Sequence, residues 1–347
     1  MIIPRLLSVA TAVPRHRLRQ GEALAHARRI FEERAPAFAR LAPVYGNAGV
    51  ETRYLSVPLD WFGKPRSWKE ANAIYLGTAE KLLAEAAGRA LERAGLDPGD
   101  VDTLVTVSST GIATPSLDAR LLRRVGFRDD VKRVPLFGFG CAGGVLGLGR
   151  AAQLAAAREG ETVLLVVVEL CSLTFRWRDT GKSNQVATAL FGDGAAAAVL
   201  RGGGRGTCVK AWGEHTWPDS LDVMGWSVEE DGFGVIFSPQ IPEIVRTGMR
   251  AETDRFLASH GLGLPDITRF ACHPGGAKVA AALEEAYGLP EGGLETSRAV
   301  LRDYGNMSAA TVLFVLDRML DAGVQGETVL LQALGPGFTT GFVVLEG

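Results

Sequence analysis

GETVLL stands at 160–165 and again at 326–331, 166 positions later. Outward from this pair the likeness continues. LERAGLDPGDVDTLVTVSS (91–109) lies over LASHGLGLPDITRFACHPG (257–275), with Gly95 and Gly261 again 166 apart and Asp102 and Asp266 164 apart. Each stretch reads as a helix, a Gly-Leu stop, a turn and a short β-rich strand. A helical stretch of small residues precedes each GETVLL, at 142–158 and 307–323. A glycine-bearing turn and a closing apolar strand follow, AAAAVL (195–200) and GFVVL (341–345). Both halves thus run helix, strand, helix, strand, strand, which predicts an α/β protein with mostly parallel sheets. TVLLVVVEL (162–170) is a continuous apolar run, as a strand buried on both faces requires. AGGVLGLGRAAQLAAA (142–157) is small or apolar nearly all round and is expected to be a central helix. The expectation is two duplicated halves, 1–205 and 206–347, forming a five-layered α/β/α/β/α core. Residues 20–75 and 201–244 break the repeat, and long insertions of this kind line sites or interfaces.

Composition narrows the class. The chain has 347 residues, 47% apolar and 22% charged, with 37 Lys and Arg against 39 Asp and Glu. A net charge of −2 provides no footprint for nucleic acid or anionic lipid. The longest apolar run, near Val163–Val168, has strand length and falls far short of the ~20 residues of a membrane span. The N-terminal MIIPRLLSVATAVPRH has no basic n-region or long apolar h-region, so no signal peptide is expected. The four cysteines form no CxxC pair and no metal-ligand spacing. The expected setting is the cytoplasm, with reduced thiols and no metal.

Cys141 sits in PLFGFGCAGG (135–144), where a strand ends, glycines turn and a helix begins. Unpaired N–H groups and the helix dipole there are expected to lower the thiol pKa below about 8.5, marking Cys141 as a nucleophile. Cys171 reads as core with the pocket as the alternative, and Cys208 and Cys272 read as structural. His273 ends the strand TRFACH and precedes Pro-Gly-Gly, a site position, whereas His16, His26, His215 and His260 have polar neighbours and are expected to be solvated. Adding 166 to Cys141 gives 307, so Asn306 falls beside the equivalent helix start. The 164 spacing of Asp102 and Asp266 sets His273 opposite Ser109. A pseudo-twofold then brings a thiol, an imidazole and a carboxamide together, a set that activates a thiolate and aims donors at an oxyanion.

The motifs FGFGCAGG, ALFGDGAAA (189–197), FACHPGG, YGNMSAAT and GPGFTTG (335–341) stand in order along the chain. SVATAVPRHRLRQ, GVETRYL (49–55) and TGIATPSLDARL (110–121) extend the match over nearly the whole length. The chain resembles a bacterial type III polyketide synthase of the chalcone and stilbene synthase superfamily, which has the thiolase fold. The resemblance implies an acyltransferase in which Cys141 takes the acyl group of a starter acyl-CoA. His273 and Asn306 would bind the thioester oxygen while malonyl-CoA loses carbon dioxide, and the enolate would then condense with the acyl-enzyme. Iteration and cyclisation follow, with an alkylpyrone or alkylresorcinol as the expected product and a malonyl-only product left open.

The resemblance also assigns pocket positions. Phe191 matches a gatekeeping phenylalanine, and the second gatekeeper falls at Phe233–Val235, with the spacing from Gly225 leaving the residue open. Thr174, Gly225 and Ser308 match pocket-lining positions, and Gly335, Pro336 and Gly337 the pocket floor. Thr114 matches a residue that reaches into the cavity of the second subunit of a homodimer, and a cis Thr114–Pro115 bond is expected. Arg53, Gly275 and Lys278 match positions near CoA. No cofactor is implied beyond the CoA thioester substrates. The competing expectation is a condensing enzyme like ketoacyl-carrier-protein synthase III. That family carries an asparagine close after its histidine, where this chain has Pro-Gly-Gly.

Overall fold

The structure is a computed structural model that describes residues 2–347. Its strands in chain order are β1 (Pro4–Ala12), β2 (His16–Arg19), β3 (Thr52–Leu55), β4 (Thr103–Val107), β5 (Lys132–Leu136), β6 (Thr162–Leu170) and β7 (Asp193–Gly202). Then come β8 (Thr207–Thr216), β9 (Met224–Glu229), β10 (Gly232–Phe237), β11 (Arg269–Cys272), β12 (Thr328–Gly335) and β13 (Thr339–Glu346). Nine of them form one sheet in the order β11-β12-β13-β8-β1-β7-β6-β4-β5.

The repeat is visible in the pairing. β4 runs parallel to β6, which pairs antiparallel with β7, and β7 with β1. β11 runs parallel to β12, which pairs antiparallel with β13, and β13 with β8. Thr103 and Arg269 begin equivalent strands 166 residues apart, as do Thr162 and Thr328. β5 has no counterpart. The two sets join where β1 meets β8 through only two residue pairs, Arg5 with Cys208 and Leu6 with Thr207.

Alternation along the strands sorts side chains into layers. Leu164, Val166 and Val168 of β6 pack with the long helix Trp68–Ala94. Val163, Leu165 and Val167 point the other way, into a core shared with helices Gly143–Ala155 and Thr311–Asp321. Val329 and Leu331 of β12 enter that same core, while Leu330 and Leu334 face helices Ile241–Ser259 and Ala277–Tyr287. The five expected layers are present, and every residue of β6 is buried, but the sheet is not mostly parallel as expected: five of its eight pairings are antiparallel, because each half closes with a strand that doubles back on its neighbour. Helix Gly143–Ala155 lies at the centre because its glycines admit close neighbours. A Cβ on Gly144 would stand 2.2 Å from the Ala309 carbonyl oxygen of the other half.

Both insertions supply walls. Residues 20–75 provide helix Gln20–Phe31, β3 and short helical turns, and 201–244 provide β8 and the β9–β10 hairpin. Among the described residues, no helix is long and apolar enough to cross a membrane.

Candidate active site

Cys141 occupies a 3-10 turn, Gly140–Ala142, that leads directly into the central helix. The Ser109 hydroxyl accepts from the Gly138 and Gly140 N–H groups at 3.3 and 3.2 Å and so fixes the Cys141 turn, although the observed strand offset of 166 puts Val107 and not Ser109 opposite His273. Gly140 has φ +46°, and a Cβ there would lie 2.6 Å from Pro336. The Gly335–Pro336–Gly337 loop is therefore seated on the Cys141 turn.

His273 follows β11, its N–H donating to the Gln332 carbonyl at 2.8 Å. Neither ring nitrogen has a protein partner. Asn306 is held from both ends. Its Oδ1 accepts from the Ser308 N–H at 2.8 Å, and its Nδ2 donates to the Gly275 carbonyl at 3.1 Å. Its backbone N–H donates to the Leu190 carbonyl, and its carbonyl accepts from the Gly192 N–H, locking Phe191 beside it. Ser308 adopts φ +48°, a conformation rare outside glycine and typical of a site that holds strain.

Three spaces surround these residues. A cleft of about 1700 Å³, open to solvent, is lined by Cys141, His273, Asn306, Gly275 and, at its exposed edge, Arg40, Lys182 and Lys278. An inner pocket of about 350 Å³ is lined by Cys141, Cys171, Phe191, Gly225, Trp226, Val235, Phe237, Ser308 and Pro336. A third space of about 600 Å³ lies beyond Cys171 and Phe191, lined by apolar side chains of helix Gln20–Phe31 together with Thr174, Phe175, His26 and Arg53. Cys141 is shared by the first two spaces, Cys171 and Phe191 by the last two.

Burial governs the electrostatics. It pushes the Cys141 thiol up to about 12, against the downward pull of hydrogen bonds from Ser308 and Asn306. It holds the His273 imidazole down to about 4. The helix start thus does not lower the thiol pKa as the sequence suggested, because desolvation outweighs the dipole and the hydrogen bonds. Burial also pushes the Glu169 carboxyl up to about 8. That carboxyl accepts from the Ser109 N–H at 3.0 Å and the Thr110 hydroxyl at 2.8 Å.

Models of the chalcone and stilbene synthases match the chain twice, the N-terminal domain at 61–204 and the C-terminal domain at 211–347. The chain belongs to the chalcone and stilbene synthase family. It is 43% identical to a 1,3,6,8-tetrahydroxynaphthalene synthase from Streptomyces peucetius subsp. caesius, over 99% of this chain and 94% of the relative. It is 32% identical to a 3,5-dihydroxyphenylacetyl-CoA synthase from Amycolatopsis balhimycina, over 99% and 93%. The crystal structure of the tetrahydroxynaphthalene synthase from Streptomyces coelicolor A3(2), a bacterial type III polyketide synthase, superposes with a TM-score of 0.94. That comparison gives 30% identity over 98% of both chains. The protein is thus a type III polyketide synthase of bacterial type with the thiolase-like fold, an acyltransferase-class enzyme.

Against this site, several sequence expectations need correction. Arg53 is not at the CoA edge. It is 2% exposed, and its guanidinium donates to the carbonyls of Thr188 (2.8 Å), Ala189 (2.9 Å) and Phe191 (3.1 Å) and to Gln20, tying down the end of helix Lys182–Leu190. Burial lowers its pKa to about 10. Phe233 is not at the gate. It packs on Trp226 and Trp68 behind the hairpin, and it lines neither the cleft nor the inner pocket. The hairpin register sets Ile236 opposite Gly225 and Phe237 opposite Met224. Phe237 therefore faces Phe191, ring centroids 5.7 Å apart, and lines both cleft and inner pocket, with Val235 on the inner pocket alone.

Thr174 lines the third space, and its hydroxyl donates to the Cys171 carbonyl at 2.8 Å. Of the 335–337 loop only Pro336 touches the inner pocket. Thr114 is exposed in the single chain, beside the expected cis bond to Pro115. His26 is buried, not solvated, and His215 is partly buried beside Glu252 at 3.2 Å. Reading the sequence missed Glu169, Phe237, Arg40 and Lys182. Glu169 alone left a signal, a carboxylate inside a fully apolar strand. Among the described residues, no group of three or more His, Cys, Asp or Glu side chains is placed to hold a metal ion.

Proposed function

We propose that Cys141 carries the growing acyl chain as a thioester, and that His273 and Asn306 drive the decarboxylative condensation. The supporting observation is that the Cys141 sulfur belongs to both the open cleft and the inner pocket. A CoA thioester entering the cleft past Arg40, Lys182 and Lys278 would meet the sulfur at the junction, its phosphates left among cations. His273 takes the thiol proton, because a thiolate and an imidazolium formed together offset charges that the buried site penalises singly. The thiolate attacks the starter thioester, and CoA leaves as its thiol. Having returned its proton to the departing CoA, the neutral His273 ring donates its remaining N–H, with the Asn306 carboxamide, to the malonyl thioester oxygen. Carbon dioxide departs, the enolate carbon attacks the Cys141 thioester, and the Cys141 thiolate is released. The lengthened CoA ester reloads Cys141 for the next round.

The two relatives are named for aromatics with hydroxyls on alternate carbons, the pattern a cyclised poly-β-keto chain leaves. A small polyhydroxylated ring is the product class proposed. The apolar lining of the space beyond Phe191 favours a second reading, an alkyl-primed pyrone or resorcinol. The active species is proposed to be a cytoplasmic homodimer of halves divided at 205/206, using CoA thioesters and no other cofactor. A second copy would cover the exposed Thr114, Ile112 and Phe137.

The test is mass spectrometry of products from malonyl-CoA with a panel of acyl-CoA starters, run on the natural enzyme and on Cys141→Ala. Condensation products in the first and none in the second are expected, with slow malonyl-CoA decarboxylation retained. Full synthesis by Cys141→Ala would remove the sulfur from the mechanism.

A further inference from the structure

The two rings that face each other between cleft and inner pocket come from different elements. Phe191 caps helix Lys182–Leu190, whereas Phe237 ends the β9–β10 hairpin, a two-stranded sheet apart from the nine-stranded one. A hairpin of two six-residue strands is marginal by itself, so what grips it decides where it stands. Trp68 packs on its Phe233, ring centroids 5.4 Å apart. In its turn, Asp231 Oδ1 accepts from Arg176 Nε at 2.5 Å. The arginine also lies across the hairpin, since a Cβ on Gly234 would stand 3.1 Å from Arg176 Nη1.

The other end of this grip belongs to the helix of Phe191. Asn184, 2% exposed in that helix, accepts at Oδ1 from the Arg176 N–H at 3.3 Å. Its Nδ2 donates to the Arg176 and Asp179 carbonyls at 2.9 and 2.7 Å. The Arg176 guanidinium also pairs with the Asp179 carboxylate at 3.3 Å. A chain of contacts thus runs from the helix of Phe191 through Asn184 and Arg176 to the hairpin of Phe237. Arg176 is its charged link, and it stands between two carboxylates. With the guanidinium gone, Asp179 and Asp231 would be left as like charges at the same place, and attraction would turn to repulsion. We infer that Arg176 is a positioning residue, which through Asp231 sets how far Phe237 stands from Phe191 and so how bulky an acyl group reaches the inner pocket. This inference rests on the proposed loading of Cys141 by acyl-CoA and names a residue that selects among starters.

The experiment compares rates of Cys141 acylation by dodecanoyl-CoA and by acetyl-CoA, read by intact-protein mass spectrometry. In Arg176→Gln the dodecanoyl-to-acetyl ratio should rise about three- to tenfold, the worth of one charge-assisted hydrogen bond. Malonyl-CoA decarboxylation should hold, because Cys141, His273 and Asn306 keep their places. Arg176→Lys, which retains the charge, should stay near the natural ratio. Adding Asp231→Asn to Arg176→Gln should bring the ratio back towards the natural value, because it removes the repulsion. If Arg176→Gln does not fold, Asp231→Asn alone breaks the same pair from the hairpin turn and should raise the ratio likewise. An unchanged ratio in the folded variants overturns the inference. So does a fall in decarboxylation that matches the change in acylation, which would mark general loosening. Failure of the natural enzyme to acylate Cys141 from either ester would instead sink the reading on which it rests.

Discussion

Cys141 and His273 are each held neutral by burial, so neither is chemically competent alone. In the proposed mechanism the nucleophile arises only through transfer of one proton between them, which would make the thiol's reactivity a property of the imidazole. His273→Gln should slow iodoacetamide labelling of Cys141 at neutral pH by about tenfold or more. Peptide mass spectrometry would read this, and undiminished labelling would show an independently ionised thiol. Cys141 and His273 were legible because glycines stand beside them just past a strand end, and Asn306 because the repeat offset related it to Cys141. Arg53 and His26 were misread for a common reason. A letter reports charge and polarity, but burial depends on which segments arrive later to cover it. Arg53 is covered by the carbonyl ends of a helix more than 130 residues downstream.

At the scale of elements, the contact between the two halves depends on a missing side chain. The start of the central helix and the Ser308–Ala310 turn approach so closely that Gly144 has no room for a methyl group. Gly144→Ala should cost about 1–3 kcal/mol of stability through overpacking and displace the Asn306–Ser308 turn. Urea unfolding alongside condensation assays would measure both, and unaltered values would mean that the turn shifts freely. The β9–β10 hairpin shows what periodicity leaves open. The sequence marked 201–244 only as an insertion; the hairpin register is set by the turn at Glu230–Asp231, and one residue of slip exchanges the faces. Phe237 escaped notice for that reason, although it lies only two residues beyond the Phe233–Val235 stretch. Repeat, layers and central helix were all legible, because buried strands and small-residue helices write burial directly into composition.

Across the whole molecule, buried ionisable groups tie stability to pH. The Glu169 carboxyl has a folded pKa near 8 against an ordinary 4.5. Its contribution is fully present below 4.5 and is lost as pH rises through 8, because the folded state retains a proton that the unfolded chain gives up. Glu169→Gln keeps a neutral group, so relative to the natural protein it should gain stability between pH 5 and pH 9. The expected gain is on the order of a few kcal/mol, read as the difference in Tm shift between the two pH values. A pH-independent shift would mean that the carboxyl is ionised throughout.

The two-pair junction between β1 and β8 also bears on how the molecule is made. The opening segment Pro4–Ala12 is clamped between strands that begin at Asp193 and Thr207. During synthesis it waits unpartnered while some 190 residues follow it off the ribosome, and such distant pairings close slowly. Substitutions that weaken β1 will therefore weigh on biogenesis, since this keystone is made well before the strands that hold it.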